Sequence, residues 1–69
     1  MTPEQCRAAR AIAAMSQQDL ADASEVAKAT IANFETGNRK PYKRTITALR
    51  QALEARGVTF TDDGGVKGR

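Results

Sequence analysis

Apolar and polar positions recur with a helical period over most of this chain and switch to strict alternation only near its C-terminal end. Thr2-Pro3-Glu4-Gln5 has a capping threonine, a proline suited to the first helical position, and a glutamine where a capping box takes Glu or Gln. A first helix is predicted from there to about Ala14, with Cys6, Ala9, Ala13 and Ile12 as its inner stripe. Ser16 is the next cap, and Asp19 favours the positive end of a second helix over 17–23, with Leu20 and Ala21 inward. Met15 packs over the junction of these two helices. Ser24-Glu25-Val26 is the turn, and a third helix follows from about Ala27 to Glu35, stopped by Gly37 in a left-handed conformation. Val26, Ile31 and Phe34 place one apolar edge of it against the first two helices. Pro41 keeps the basic loop 38–42 out of helix. A fourth helix runs from Lys43 or Arg44 to about Arg56, striped by Ile46, Leu49, Ala52 and Leu53 and stopped by Gly57. Val58-Thr59-Phe60-Thr61 alternates as a strand does. Asp62-Asp63-Gly64-Gly65 is turn chemistry, and residues 66–69 can return as a second short strand.

The second and third helices form the most informative part of this pattern. They are short, joined by a tight turn, and apolar at each position where such a pair must pack. That arrangement is a helix-turn-helix, whose second helix is shaped to lie in the major groove of DNA.

Composition narrows the picture. Sixty-nine residues allow one domain. A chain this small buries only about 60% of its unfolded surface, so the core is thin. The net charge of +3 permits a polyanionic partner, and its placement says more. From 26 to 44 there are five basic residues, Lys28, Arg39, Lys40, Lys43 and Arg44, against one acid, Glu35. That segment carries +4, more than the whole chain. A charge cluster can also be plain solvated surface. One cysteine excludes an internal disulfide, and without histidine or a second cysteine no metal site is expected. Cys6 reads as a small buried hydrophobe rather than a redox sensor. No apolar run approaches the ~18 residues of a membrane span, and no secretory leader is expected, so the expected location is cytoplasmic. The eight acids form no recognisable catalytic pair, and no nucleophile has a base beside it, so no enzyme is expected.

On Arg10, Ser16-Gln17, Leu20-Ala21, Val26, Thr30-Ile31, Phe34-Glu35, Gly37 and Pro41, residues 5–53 resemble the lambda-repressor-like, Cro-type helix-turn-helix domain of the XRE family of bacterial and phage regulators. The resemblance implies a mainly α fold: a four-helix DNA-binding domain over 1–56, with a short C-terminal β-strand or hairpin over 57–69. That tail is a possible dimerisation element. Three positions depart from the family pattern. Glu25 stands where glycine usually opens the turn, Ala27 where Ser or Thr caps the third helix, and Ala14 where glycine precedes the second helix. The lost cap costs ~1 kcal/mol, and Glu25 is placed where a positive φ is needed.

Candidate DNA-contacting residues fall into two groups. Lys28, Ala29 and Asn33 project from the exposed face of the third helix, opposite Ile31 and Phe34. Lys28 can donate to guanine, the Asn33 amide suits adenine, and Ala29 can meet only a thymine methyl. The alternative is an ordinary solvated face. Thr30 lies near this face and can bond phosphate. Asn38, Arg39, Lys40, Lys43 and Arg44 are placed to track the DNA backbone, with Arg39 or Lys43 able to enter an adjacent minor groove. Tyr42 either bonds a phosphate or covers the loop. The family resemblance adds Ser16 and Gln17 as a phosphate site at the start of the second helix. It also adds a structural salt bridge between Arg10 and Glu35.

The expected partner is double-stranded DNA, with no cofactor, small-molecule ligand or membrane. Family members usually bind paired half-sites as two-fold dimers. Two surfaces can serve a homodimer: the outer face of the fourth helix, and the strand Val58, Thr59, Phe60 and Thr61 through its edge. That strand can equally close an intramolecular hairpin or fray. The expected activity is repression by operator occupancy. The alternative is a protein-binding module of antitoxin or anti-repressor type, in which Lys28 and Asn33 would be dispensable.

Overall fold

Two reciprocal caps start the first two helices. In the computed structural model, which describes residues 1–68, the Thr2 hydroxyl accepts from the Gln5 amide at 3.1 Å, while Gln5 Oε1 accepts from the Thr2 amide at 2.9 Å. This box opens α1 (Pro3–Ala13). Ser16 and Asp19 repeat the exchange at 2.9 and 3.0 Å and open α2 (Gln17–Ser24). The next two helices, α3 (Lys28–Glu35) and α4 (Lys43–Ala55), begin at Ala27 and Tyr42 with no side-chain cap. Two turns after helices are made by non-glycine residues in the left-handed region: Ala14 at φ 55° and Glu25 at φ 59°. Both stand where the family pattern has glycine, and Glu25 adopts the strained backbone expected of it.

The apolar stripes of all four helices converge. Cys6, Ala9, Met15, Leu20, Ala21, Ile31, Phe34, Leu49, Leu53 and Val58 form the buried core, with Ala13, Val26, Ile46 and Ala52 packed against it. α2 packs on both α3 and α4, and α1 packs on α3 and α4. Ile12 departs from its expected place on the inner stripe. It lies about a quarter turn off the line through Cys6, Ala9 and Ala13, and it is 44% exposed. Its Cγ2 lies against Gly68, where an added Cβ would come within 2.8 Å.

After Gly57 the chain forms a hairpin of β1 (Thr59–Phe60) and β2 (Val66–Lys67), antiparallel, with Thr59 opposite Lys67 and Phe60 opposite Val66. The possible extension of the second strand to residue 69 lies outside the described residues. The turn is held by its own side chains. The Gly65 amide donates to Thr61 Oγ1 at 3.0 Å and to Asp63 Oδ1 at 3.1 Å. The hairpin is fastened to the helices in three ways. Val58 sits in the core, β2 packs on α1, and Gln5 Nε2 donates to the Gly65 carbonyl at 3.2 Å. Among the described residues, no helix is long and apolar enough to cross a membrane.

Candidate nucleic-acid interface

A single buried carboxylate ties the first three helices together. Glu35, in the last turn of α3, is 3% exposed. Arg10 of α1 grips it with two nitrogens: Nε donates to Oε2 and Nη2 to Oε1, each at 2.7 Å. The Cys6 thiol donates to Oε2 at 3.1 Å, and Gln17 Nε2 of α2 donates to Oε1 at 3.1 Å. Arg10 also reaches the chain between α1 and α2, its Nη1 donating to the Met15 carbonyl at 3.1 Å. Arg7 donates to the backbone carbonyl of Glu35. This network fixes the angle at which α3 is presented, because every polar group it buries has a partner.

The electrostatics follow from that packing. Burial works against the charge of Glu35, but the hydrogen bonds from Arg10, Cys6 and Gln17 and the Arg10 charge outweigh it and hold the carboxyl below its ordinary value. The same hydrogen bond raises Arg10. Cys6 responds oppositely: burial first, then its bond to the Glu35 carboxylate, push the thiol up to about 12. A thiol held neutral in this way is a hydrogen-bond donor, not a nucleophile.

On α3 the inward side chains are Ile31, Phe34 and Glu35, while Lys28, Ala29 and Asn33 are exposed and Thr30 is half-buried. Ala29 and Asn33 stand one turn apart on one face, and Lys28 opens the first turn beside them. The Asn33 side-chain amide has no partner among the described residues. Its backbone carbonyl accepts from the Asn38 and Arg39 amides at 2.9 and 3.2 Å. That wrap carries the chain around Gly37, at φ 80°, and directs Asn38, Arg39 and Lys40 into solvent. Thr30 shares a cleft of about 410 Å³ with Arg39, Lys40, Pro41, Tyr42 and Thr45, so the third helix and the basic loop border one surface depression. Tyr42 is 78% exposed, and the Arg44 guanidinium lies 5.9 Å from its ring centroid. Lys43 and Arg44 are exposed. Among the described residues, the ion pairs are Arg10 with Glu35 and Arg50 with Glu54, so none of the five cations from 28 to 44 is neutralised by a carboxylate.

Ser16 is exposed, its hydroxyl held by the Asp19 cap. Gln17 is half-buried, with one amide hydrogen engaged by Glu35. It lines a second cleft, of about 570 Å³, with Arg7, Arg10, Thr36 and Gly37. Along the hairpin, Thr59 is exposed, Phe60 and Thr61 are half-buried, and Val58 is committed to the core. Phe60 carries the Arg50 guanidinium 5.1 Å from its ring centroid.

Three contributors to this region lie beyond what the sequence pattern predicts: Arg7, the Cys6 thiol as a hydrogen-bond donor, and the reach of the buried Gln5 to the hairpin. One signal was available for Arg7: it precedes Arg10 by three residues and therefore shares its helix face. A helix-turn-helix family model matches residues 7–57. No curated protein matches the chain.

Proposed function

The chain belongs to that helix-turn-helix family, of the lambda-repressor-like XRE type, and on this premise we propose that this DNA-binding transcription regulator is a repressor that occupies a two-fold operator as a homodimer. The observation that carries the reading is the exposed face of α3 with Lys28, Ala29 and Asn33, held in place by the buried Glu35 network and bordered by cations that have no acidic partner among the described residues. A helix presented so rigidly loses little freedom on entering the major groove.

In this reading Lys28 donates to guanine O6 or N7, Asn33 pairs its amide with adenine, and Ala29 touches a thymine methyl. Ser16, Gln17 and Thr30 bond phosphates at the helix starts. Gln17 is suited to this, because its bond to Glu35 leaves one amide hydrogen for the phosphate. Asn38, Arg39, Lys40, Lys43 and Arg44 follow the backbone beyond α3 and supply affinity that falls with salt. The body over 1–56 binds DNA in the cytoplasm, and the segment 57–69 joins two copies.

The hairpin supports a strand-edge dimer. The Thr61 amide donates to the Gly65 carbonyl at 3.0 Å, while the Gly65 amide turns to the Thr61 and Asp63 side chains, so the two residues face each other at a half-made bonded position of the ladder. In an antiparallel ladder bonded and non-bonded pairs alternate, which turns the amide and carbonyl of Phe60 away from β2. A second copy can pair there across a two-fold axis through Thr59, Phe60 and Thr61. Val58, buried in the core of its own subunit, anchors that strand to the helices.

Selection of bound DNA from a random duplex pool tests the whole reading, run in parallel with wild type and with the Lys28→Ala, Asn33→Ala variant. Enrichment of a two-fold repeat that vanishes in the variant is the expected result. Binding with no enriched motif sinks it and directs attention to a protein partner.

A further inference from the structure

Arg7 is the one cation of α1 whose charge has no assigned work. It is exposed and anchored, since its guanidinium donates to the Glu35 backbone carbonyl at the C-terminal end of α3. Among the described residues no carboxylate neutralises it: the nearby Glu35 side chain is already occupied by Arg10, Cys6 and Gln17, and the ion pairs are Arg10 with Glu35 and Arg50 with Glu54. A carbonyl partner holds a guanidinium in place without cancelling its charge, and four of the five N–H donors remain for another acceptor.

The surroundings say what that acceptor is. Arg7 lines the cleft of about 570 Å³ that runs from α1 to Gln17 at the start of α2 and to Thr36 and Gly37 just beyond α3. A Cβ built on Gly37 meets nothing within 4 Å, so no neighbouring atom crowds the cleft at this exposed point. The cleft therefore reaches both ends of the helix-turn-helix and is bordered by donors from α1 (Arg7, Arg10) and from α2 (Gln17), while the Thr36 hydroxyl and the Thr36 and Gly37 amides are taken by the backbone of α3. We propose that Arg7 receives a DNA phosphodiester at this cleft, extending the backbone footprint of the protein onto its first helix. The proposal rests on the DNA-binding reading above. Glu4 rims the same cleft and is in no ion pair among the described residues, so it repels a phosphate seated there and supplies a test of opposite sign.

The experiment measures binding to a mixed-sequence duplex several helical turns long, over a range of salt, for wild type, Arg7→Gln, Arg7→Lys and Glu4→Gln, with thermal unfolding of each. Arg7→Gln is expected to flatten the slope of log affinity against log salt by about 0.9, the value for one lost phosphate contact. Arg7→Lys is expected to keep the slope, and Glu4→Gln to tighten binding at low salt. A wild-type slope in Arg7→Gln, or unchanged binding in Glu4→Gln, overturns the proposal while leaving the DNA-binding reading intact. Failure of wild type to bind the duplex at all overturns that reading instead. Guanidinium NMR of the wild-type protein covers the case in which Arg7→Gln does not fold. The Arg7 signal is expected to shift and exchange more slowly as duplex is added, and an unmoved signal overturns the assignment.

Discussion

Arg10 and Glu35 meet in a two-pronged ion pair across the interface of the first and third helices, Nε to Oε2 and Nη2 to Oε1, both at 2.7 Å. The two side chains are 19% and 2% exposed, so the carboxylate depends on its partners for nearly all its solvation. Removing one charge strands the other. Arg10→Met or Glu35→Leu alone is expected to cost about 3 kcal/mol, and the double variant less than the sum of the two. Chemical denaturation of the four proteins of the cycle checks this; additive losses would show that the pair is not coupled.

The same network makes stability depend on pH. Glu35 lies below its ordinary value of 4.5 in the folded chain, so it contributes stability that is present above 4.5 and is lost as the pH falls through the folded value. Asp19, bonded by Ser16, and Asp63, bonded by Thr61 and Gly65, are lowered from 3.8 and act in the same direction at lower pH. Acid titration of the unfolding midpoint should therefore show a decline that begins near 4.5. In Glu35→Gln the first part of that decline should be missing, leaving only the later loss from the two aspartates.

Cys6 should behave as a reporter of this packing and not as a reactive site. Its side chain is fully buried, and its thiol is pushed up to about 12. Alkylation in a mildly alkaline buffer is expected only through opening of α1 from α3, with rates that rise in step with denaturant. Rapid labelling of the native protein would contradict the buried thiol-to-carboxylate bond.

Two turns carry strain that a single substitution can relieve. Ala14 and Glu25 hold φ of 55° and 59°, where a side chain crowds the following carbonyl. Ala14→Gly and Glu25→Gly are each expected to stabilise by about 1 kcal/mol, after the entropy that glycine forfeits on folding. Ala27→Ser should add ~1 kcal/mol by capping α3, which has no side-chain cap. For a domain of this size each such gain raises the midpoint by about 4–8 °C, which a thermal melt resolves.

Those same positions show why much of the fold was legible. The exchange between Thr2 and Gln5 and the exchange between Ser16 and Asp19 are settled within a few residues, where spacing carries the information, and the left-handed Glu25 followed from the glycine that the family resemblance places there. The four-helix order and the hairpin followed from such local signals. The Arg10 to Glu35 pair is a long-range contact, and the family resemblance supplied it where spacing could not. The other long-range contacts were not legible. Nothing in the run around Cys6 and Arg7 announces that both reach Glu35, 29 and 28 residues later. Ile12 lies off the inner stripe for a local reason: it is apolar but sits about a quarter turn from the line of Cys6, Ala9 and Ala13, so it is left 44% exposed.

Lys28 and Lys43 are both exposed and, among the described residues, both without an acidic partner, yet they should fail differently. Lys28 opens α3, whose first turn faces base edges in the proposed pose. Lys28→Ala is therefore expected to cost ~1–3 kcal/mol on the preferred site and to relax the preference at one base pair. Lys43 begins α4, beyond the basic loop, where only the phosphate backbone is in reach in the proposed pose. Lys43→Ala should weaken binding to all sequences alike and reduce the salt slope by about one. Binding of both variants across a randomised duplex library separates the two outcomes. If the preference profiles of the two variants coincide, base reading does not reside in the first turn of α3. The division between a helix that specifies and a loop that holds would then have to be redrawn.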